Sequence, residues 1–191
     1  MAGSTRYTAV LDANTLYPAP LRDLLLSLAV DGLFHARWTN QIQAEWVRNL
    51  AHNRPDIQPQ LSALVELMNH AVPDCLIENY EGLTAGLTLP DMDDRHVLAA
   101  AIAGHADAIV TFNLQDFPAA ALDPHQIEAI HPDDFVLNQL ELRPYEALGA
   151  VKKMRARLTR PPLSAAELIA TLERSGLPAS AAHLRQAQVL I

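Results

Sequence analysis

Four acidic residues lie far apart in this chain, each where a strand or helix could aim it at one point. They are Asp12 closing YTAVLD, Glu45 inside NQIQAEWVRNL, Asp94 opening DDRHVLAAAIAG and Asp116 in VTFNLQDF. Carboxylates gathered without cationic partners repel one another and are costly to desolvate, so a fold that assembles them generally does so around a divalent cation. The pattern points to a metal-dependent active site. An all-oxygen donor set suits Mg2+ or Mn2+, which keep several waters and need only a few carboxylates.

The elements that must carry these residues can be read from hydrophobic periodicity. YTAVLD is a short β-prone run, Asn14 to Pro20 is turn-like, and LRDLLLSLAVDGLF has helical spacing. FHARWT reads as a second strand, and Thr39 or Asn40 caps a helix through QIQAEWVRNLAH, with a further helix near QLSALVELMNHAV. A turn at Pro90 precedes the helix of DDRHVLAAAIAGH, which Gly104 ends; AIVTF and QIEAI are strands, the latter followed by a turn at HPDD. Strands alternating with helices imply an α/β fold, a three-layer α/β/α arrangement with a central, mostly parallel sheet. From about Pro144 the pattern is helical only, interrupted at Pro161 and Pro162, with Ser164 and Glu167 forming a capping box. The expected organisation is an α/β core over residues 1–140 and a helical C-terminal extension over residues 141–191.

On such a framework Asp12 and Asp116 follow apolar strands at the carboxyl edge, where open α/β sheets bind ligands. Asp12 alone would read equally well as an N-cap or turn residue. Asp94 is followed at i+3, i+4 and i+7 by Val97, Leu98 and Ala101, which puts it on the buried helix face, where a charge needs a partner. Asp91 and Asp93 read first as acids decorating a helix N-terminus. Glu45 lies beside the stripe of Ile42, Trp46 and Leu50, and taken alone would be an ordinary solvated glutamate. The inference rests on the set.

Composition bounds the alternatives. The 191 residues are 50% hydrophobic, ample for a packed core, and Cys75 is the single cysteine, which excludes an internal disulfide and a multi-thiolate zinc site. A reducing, cytoplasmic setting is expected. The most apolar early stretch is broken by Asp23 and Asp31, and the N-terminus lacks a signal-peptide layout, so no membrane segment and no export are expected. The eight histidines are scattered, and there is no H-E-x-x-H, G-x-S-x-G, Walker-type or dinucleotide-binding glycine motif. A net charge of −8 argues against nucleic acid until its distribution is considered: Arg143 to Arg160 holds six basic residues against one acidic. That stretch reads as a solvated helix face or as an RNA contact.

The acidic pattern resembles the PIN-domain family: an aspartate after the first strand, a helical glutamate, an aspartate opening a helix of small residues, and an acid after the fourth strand. The matching segments are VLDANTL, QAEWVRN, PDMDDRHVLAAAIAG and IVTFNLQDF, within roughly residues 6 to 136. Within the family the chain is most similar to bacterial toxins of the VapC type. The resemblance implies a metal-dependent endoribonuclease with Asp12, Glu45, Asp94 and Asp116 as acidic ligands. Asn14, Thr111 and Asn113 match polar companions of that site, and Asp91 is an alternative to Asp94 as third ligand. It also implies an RNA substrate, a cognate antitoxin protein and a homodimer. The helices after Pro144 lie outside the family's common core.

Phosphodiester hydrolysis needs an activated water in line with the leaving oxygen and stabilisation of the charge building on phosphorus; one or two divalent cations supply both. Arg48, Arg95 and the tail residues Lys152, Lys153 and Arg155 are candidates for holding the RNA backbone, although Arg95 also reads as a surface ion-pair partner of Asp94. Aromatic content of 5% disfavours an extended base-stacking platform. Three competing readings remain: a housekeeping RNA-processing nuclease, a noncatalytic PIN-like binding module, and aspartyl phosphoryl transfer through Asp12. The last lacks a second aspartate two residues on, where Asn14 stands.

Overall fold

The computed structural model describes residues 7–191; the opening residues 1–6, part of the stretch read for a leader sequence, lie outside the described residues. In chain order the elements are β1 (Thr8–Leu11), α1 (Ala13–Leu16), α2 (Ala19–Val30), β2 (His35–Arg37), α3 (Asn40–Asn53) and α4 (Gln58–Ala71). There follow α5 (Glu81–Thr84), α6 (Arg95–Ala103), β3 (Ala108–Val110), α7 (Ala119–Leu122), β4 (Glu128–Ile130), α8 (Pro132–Leu142), α9 (Pro144–Arg157), α10 (Ala165–Arg174) and α11 (Pro178–Gln186). By packing, these divide into two compact units that are discontinuous in sequence. The first comprises the described residues up to Tyr17 together with Phe34–His131; the second comprises Pro18–Leu33 and Pro132–Ile191.

The first unit is built on a parallel sheet of order β2-β1-β3-β4, so the fold is α/β as expected. Ala9, Val10 and Leu11 of β1 and Ala108, Ile109 and Val110 of β3 are fully buried, which is why these central strands read as unbroken apolar runs rather than alternating ones. Helix α6 packs on β1 and β3. Its run of alanines lets it approach closely, and Gly104 ends it where a Cβ would lie 2.7 Å from Ile77 Cδ1 and 3.0 Å from the Ala100 carbonyl. Thr39 caps α3, its hydroxyl accepting from Ile42 N at 3.0 Å, and Ile42 and Trp46 bury one face of that helix.

The second unit is wholly helical. Helix α2 buries Leu21, Leu24, Leu25 and Leu28 and packs against α9 and α10, while α8 and α11 pack together. Lys153–Asp31 at 2.8 Å and Arg157–Asp23 at 3.0 Å tie α9 to α2 and its end. Helix α2, which lies within residues 1–140, packs its leucine face with the C-terminal helices of this unit. Ser164 and Glu167 form the anticipated reciprocal capping box at the start of α10.

Two local expectations are corrected. The Asn14–Pro20 stretch is not only a turn: α1 forms one helical turn, with the Asp12 carboxylate accepting from Ala13 N. The HPDD segment does not merely turn but starts α8, with Asp133 and Asp134 in its first turn, where negative charge is favoured. Proline and aspartate suit both a turn and a helix start, so composition alone did not separate them. Among the described residues no helix is long and apolar enough to cross a membrane.

Candidate active site

Asp12 leaves β1 at its carboxyl end, its backbone still joined to β3 through Asp12 N to Val110 O at 3.1 Å. It is 5% exposed, yet its carboxylate is well furnished with donors. Oδ1 accepts from Ala13 N at 2.6 Å, and Oδ2 accepts from Asn14 Nδ2 at 2.6 Å and from Thr111 Oγ1 at 2.7 Å. Asn14 Nδ2 also donates to Thr111 Oγ1 at 2.9 Å, its Oδ1 accepts from Phe112 N at 3.1 Å, and Thr111 Oγ1 accepts from Asn113 N at 3.0 Å. The polar companions Asn14, Thr111 and Asn113 thus form one network around Asp12. Burial pushes the Asp12 carboxyl above its ordinary range; the bonds from Thr111 and Ala13 pull it back, and the Glu45 charge pushes it up.

Asp12, Asn14, Glu45, Asp93, Asp94 and Asn113 line one polar cavity of about 770 Å³, with Tyr17, Gln41, Arg48, Asn49 and Asn53 completing it. Asp94 sits at the N-cap of α6 without a side-chain capping bond. Its carboxyl is pushed up to about 6, first by partial burial and then by the charges of Asp12, Asp91 and Asp116. Asp116 ends a short 3-10 turn, Leu114–Asp116, and does not line the cavity itself; its charge acts on Asp94. Asp91 accepts from Asp93 N at 2.8 Å, and it is Asp93 and Asp94, not Asp91, that face the cavity. The helix-terminus reading of Asp93 therefore missed a cavity-lining residue.

The group is not drawn tightly together. Among the described residues no three or more His, Cys, Asp or Glu side chains stand at the spacing needed to hold a metal ion. The donor chemistry nonetheless fits a hard cation. All the donors are carboxylate oxygens, their mutual repulsion is visible in the raised Asp94, and Mg2+ keeps part of its water shell, which extends the reach of each carboxylate.

Of the basic candidates, Arg48 lines the cavity. Arg95 donates from Nε to the Met92 carbonyl at 2.8 Å. Lys153 is paired with Asp31, Arg155 donates to the Leu163 carbonyl at 3.1 Å, and Lys152 is exposed; these three belong to the helical unit. Gln41, Glu45, Asn49 and Asn53 recur every four residues along α3, a polar row that was legible from Glu45 onward by helical spacing alone. Among the eight scattered histidines, spacing alone does not single out His96. It is 4% exposed and its Nε2 stands 2.9 Å from Glu45 Oε1. Its only sequence signal was its place two residues after Asp94, at the start of a helix already assigned to the site.

A PIN-domain family model matches residues 8–115, more than half of the chain. The chain belongs to the PIN-domain family. The match ends one residue short of Asp116. A second family model, the VapC50 C-terminal domain, matches residues 132–186, so the helices that the common core leaves out have a counterpart of their own. Among curated proteins the chain is similar to one named "Putative ribonuclease VapC50", from Mycobacterium tuberculosis, at 43% identity over 93 residues. That alignment takes in 49% of this chain and 54% of the relative, so the chain spans about half the length of the curated protein it matches. No solved structure matches the chain.

Proposed function

We propose that this PIN-domain protein is a Mg2+- or Mn2+-dependent endoribonuclease, the toxin of a toxin–antitoxin pair, working in the cytoplasm. The observation that carries the reading is the gathering of Asp12, Glu45, Asp93 and Asp94 at the wall of one polar cavity, where burial and the charges of Asp12, Asp91 and Asp116 push the Asp94 carboxyl up to about 6. Membership of the PIN-domain family and likeness to a protein named as a ribonuclease support phosphodiester hydrolysis as the use of that cavity. The match of the tail to the VapC50 C-terminal domain favours the toxin over a housekeeping nuclease.

In this reading Asp12, Asp94 and Asp116 are the acids that hold cation, and Glu45 holds a second cation or orients the attacking water. When bound, the cation would stabilise charge on the phosphoryl group and help activate the water. Asn14 and Thr111 keep the Asp12 carboxylate in one orientation through bonds of 2.6 and 2.7 Å, so that its position is set before substrate arrives. Arg48, at the wall of the same cavity, would meet an RNA phosphate. The partners would be RNA, an antitoxin protein and a second copy of the chain.

Purified protein should cleave total RNA with Mg2+ or Mn2+ into discrete products ending in 5′-phosphates. EDTA should abolish cleavage, and Asp94→Asn should do the same in a folded protein. RNA bound but left intact in either metal, by antitoxin-free protein, would replace the nuclease with a binding module.

A further inference from the structure

His96 is a buried histidine that the catalytic assignment above does not use. It lies in the first turn of α6, two residues after Asp94, and is 4% exposed. Its Nε2 approaches Glu45 Oε1 at 2.9 Å, across from α6 to α3. This is an ion-pair distance between the ring edge and the carboxylate; a carboxylate oxygen that takes a hydrogen from this edge takes it from Nε2. Among the described residues Nδ1 is buried with no hydrogen-bonding partner, so Glu45 is what faces the ring's polar edge.

Glu45 is a flexible side chain, partly exposed, on the wall of a cavity that also holds Asp12, Asp93 and Asp94. Repulsion from those acids and the rotamer freedom of a glutamate both favour its swinging out to solvent. The hydrogen bond that Glu45 accepts from Gln41 Nε2, at 3.5 Å, is too long to prevent this. The imidazole is rigid, enclosed, and anchored on the helix that also carries Asp94.

We infer that His96 is a positioning residue, holding Glu45 through Oε1 so that its carboxylate stays in the cavity and presents its other oxygen to a divalent cation. This rests on the metal-dependent reading above. The geometry follows a common logic of metal sites, in which an outer partner fixes the orientation of a ligand and its loss costs about 10–100-fold in metal affinity. A histidine present only to fill space between α6 and α3 would have no reason to discriminate between replacements that keep or lose a donor towards Glu45.

The test compares His96→Gln with His96→Asn in the full chain. Glutamine places an amide N–H about where Nε2–H stands, whereas asparagine, one carbon shorter, stops near Nδ1. Mn2+ binding by calorimetry should be nearly unchanged in His96→Gln and about 10–100-fold weaker in His96→Asn, with melting temperatures alike. In a Glu45→Gln background His96→Asn should add no further loss. Nitrogen-15 NMR of the metal-free, histidine-labelled wild type should show the Nε2–H tautomer, which needs no variant to fold, and in folded Glu45→Gln that signal should be displaced.

Equal Mn2+ affinity in the two variants, an undiminished loss in the Glu45→Gln background, or an Nδ1–H tautomer would each overturn the positioning role while leaving the nuclease intact. A wild-type protein that shows the Nε2–H tautomer yet binds no Mn2+ would overturn both.

Discussion

Asp12 and Asp133 are equally buried, each 5% exposed, and both have their carboxylates in hydrogen bonds, yet their surroundings differ. Asp133 accepts from Ala179 N and Ser180 N, both at 2.8 Å, and its own carbonyl accepts from Ser180 Oγ at 3.0 Å. Its charge is spent on the first turn of α11, whose amides and dipole welcome it, and it joins α8 to α11 within the helical unit. Asp12 accepts from an amide, a carboxamide and a hydroxyl, but Glu45 and Asp94 are close enough for their charges to interact with it. In the proposed reading burial does not separate a structural carboxylate from a functional one; the neighbouring acids around Asp12 do.

The sharpest way to break this comparison is to neutralise each carboxylate in turn. Asp12→Asn keeps the size of the side chain, so the protein should fold, but RNA cleavage should fall by more than about 100-fold, since even outer partners of metal sites cost 10–100-fold. Asp133→Ala should do the reverse. It leaves two backbone N–H groups of α11 without acceptors, and denaturant unfolding should show a loss of about 2–3 kcal/mol, with cleavage per folded molecule unchanged. If Asp133→Ala lowered cleavage and Asp12→Asn lowered stability alone, the assignment of roles would be reversed.

The same contrast has a pH signature. Asp94 holds its proton up to about 6 in the folded chain against an ordinary value of 3.8, so the folded state binds more protons than the unfolded one between those values. Its contribution to stability is therefore full below about 4 and lost as pH rises through 6. Thermal unfolding of metal-free wild type, compared with Asp94→Asn, should show this acid-side advantage in the wild type only, and Mg2+ should restore stability at neutral pH by binding the folded state. An identical pH dependence in the two proteins would remove the uncompensated charge from the argument. The smallest expected effect is at the capping box: Ser164→Ala should cost about 1 kcal/mol in unfolding and leave cleavage unaltered.

Much of this molecule was legible in one dimension. The buried strands around Val10 and Ile109 follow from continuous apolar runs, Gly104 and Ser164 mark helix ends by local chemistry, and Asp12 and Asp94 stand at element ends that periodicity locates. The HPDD start of α8 was not legible, because proline and aspartate serve turns and helix starts alike. The place of Asp93 on the cavity wall was not legible, because a helix-terminal acid looks the same whether it faces water or a cavity.

The sequence by itself determined the alternation of strands and helices and the change of character after the last strand, because each of these depends on local spacing and side-chain type. Only the tertiary structure decided that α2 packs with α9 and α10, that Asp93 and not Asp91 lines the cavity, and that His96 meets Glu45. Those are contacts between residues up to more than a hundred positions apart. They are set by which apolar faces find one another in the core, and no short window of the chain contains that information.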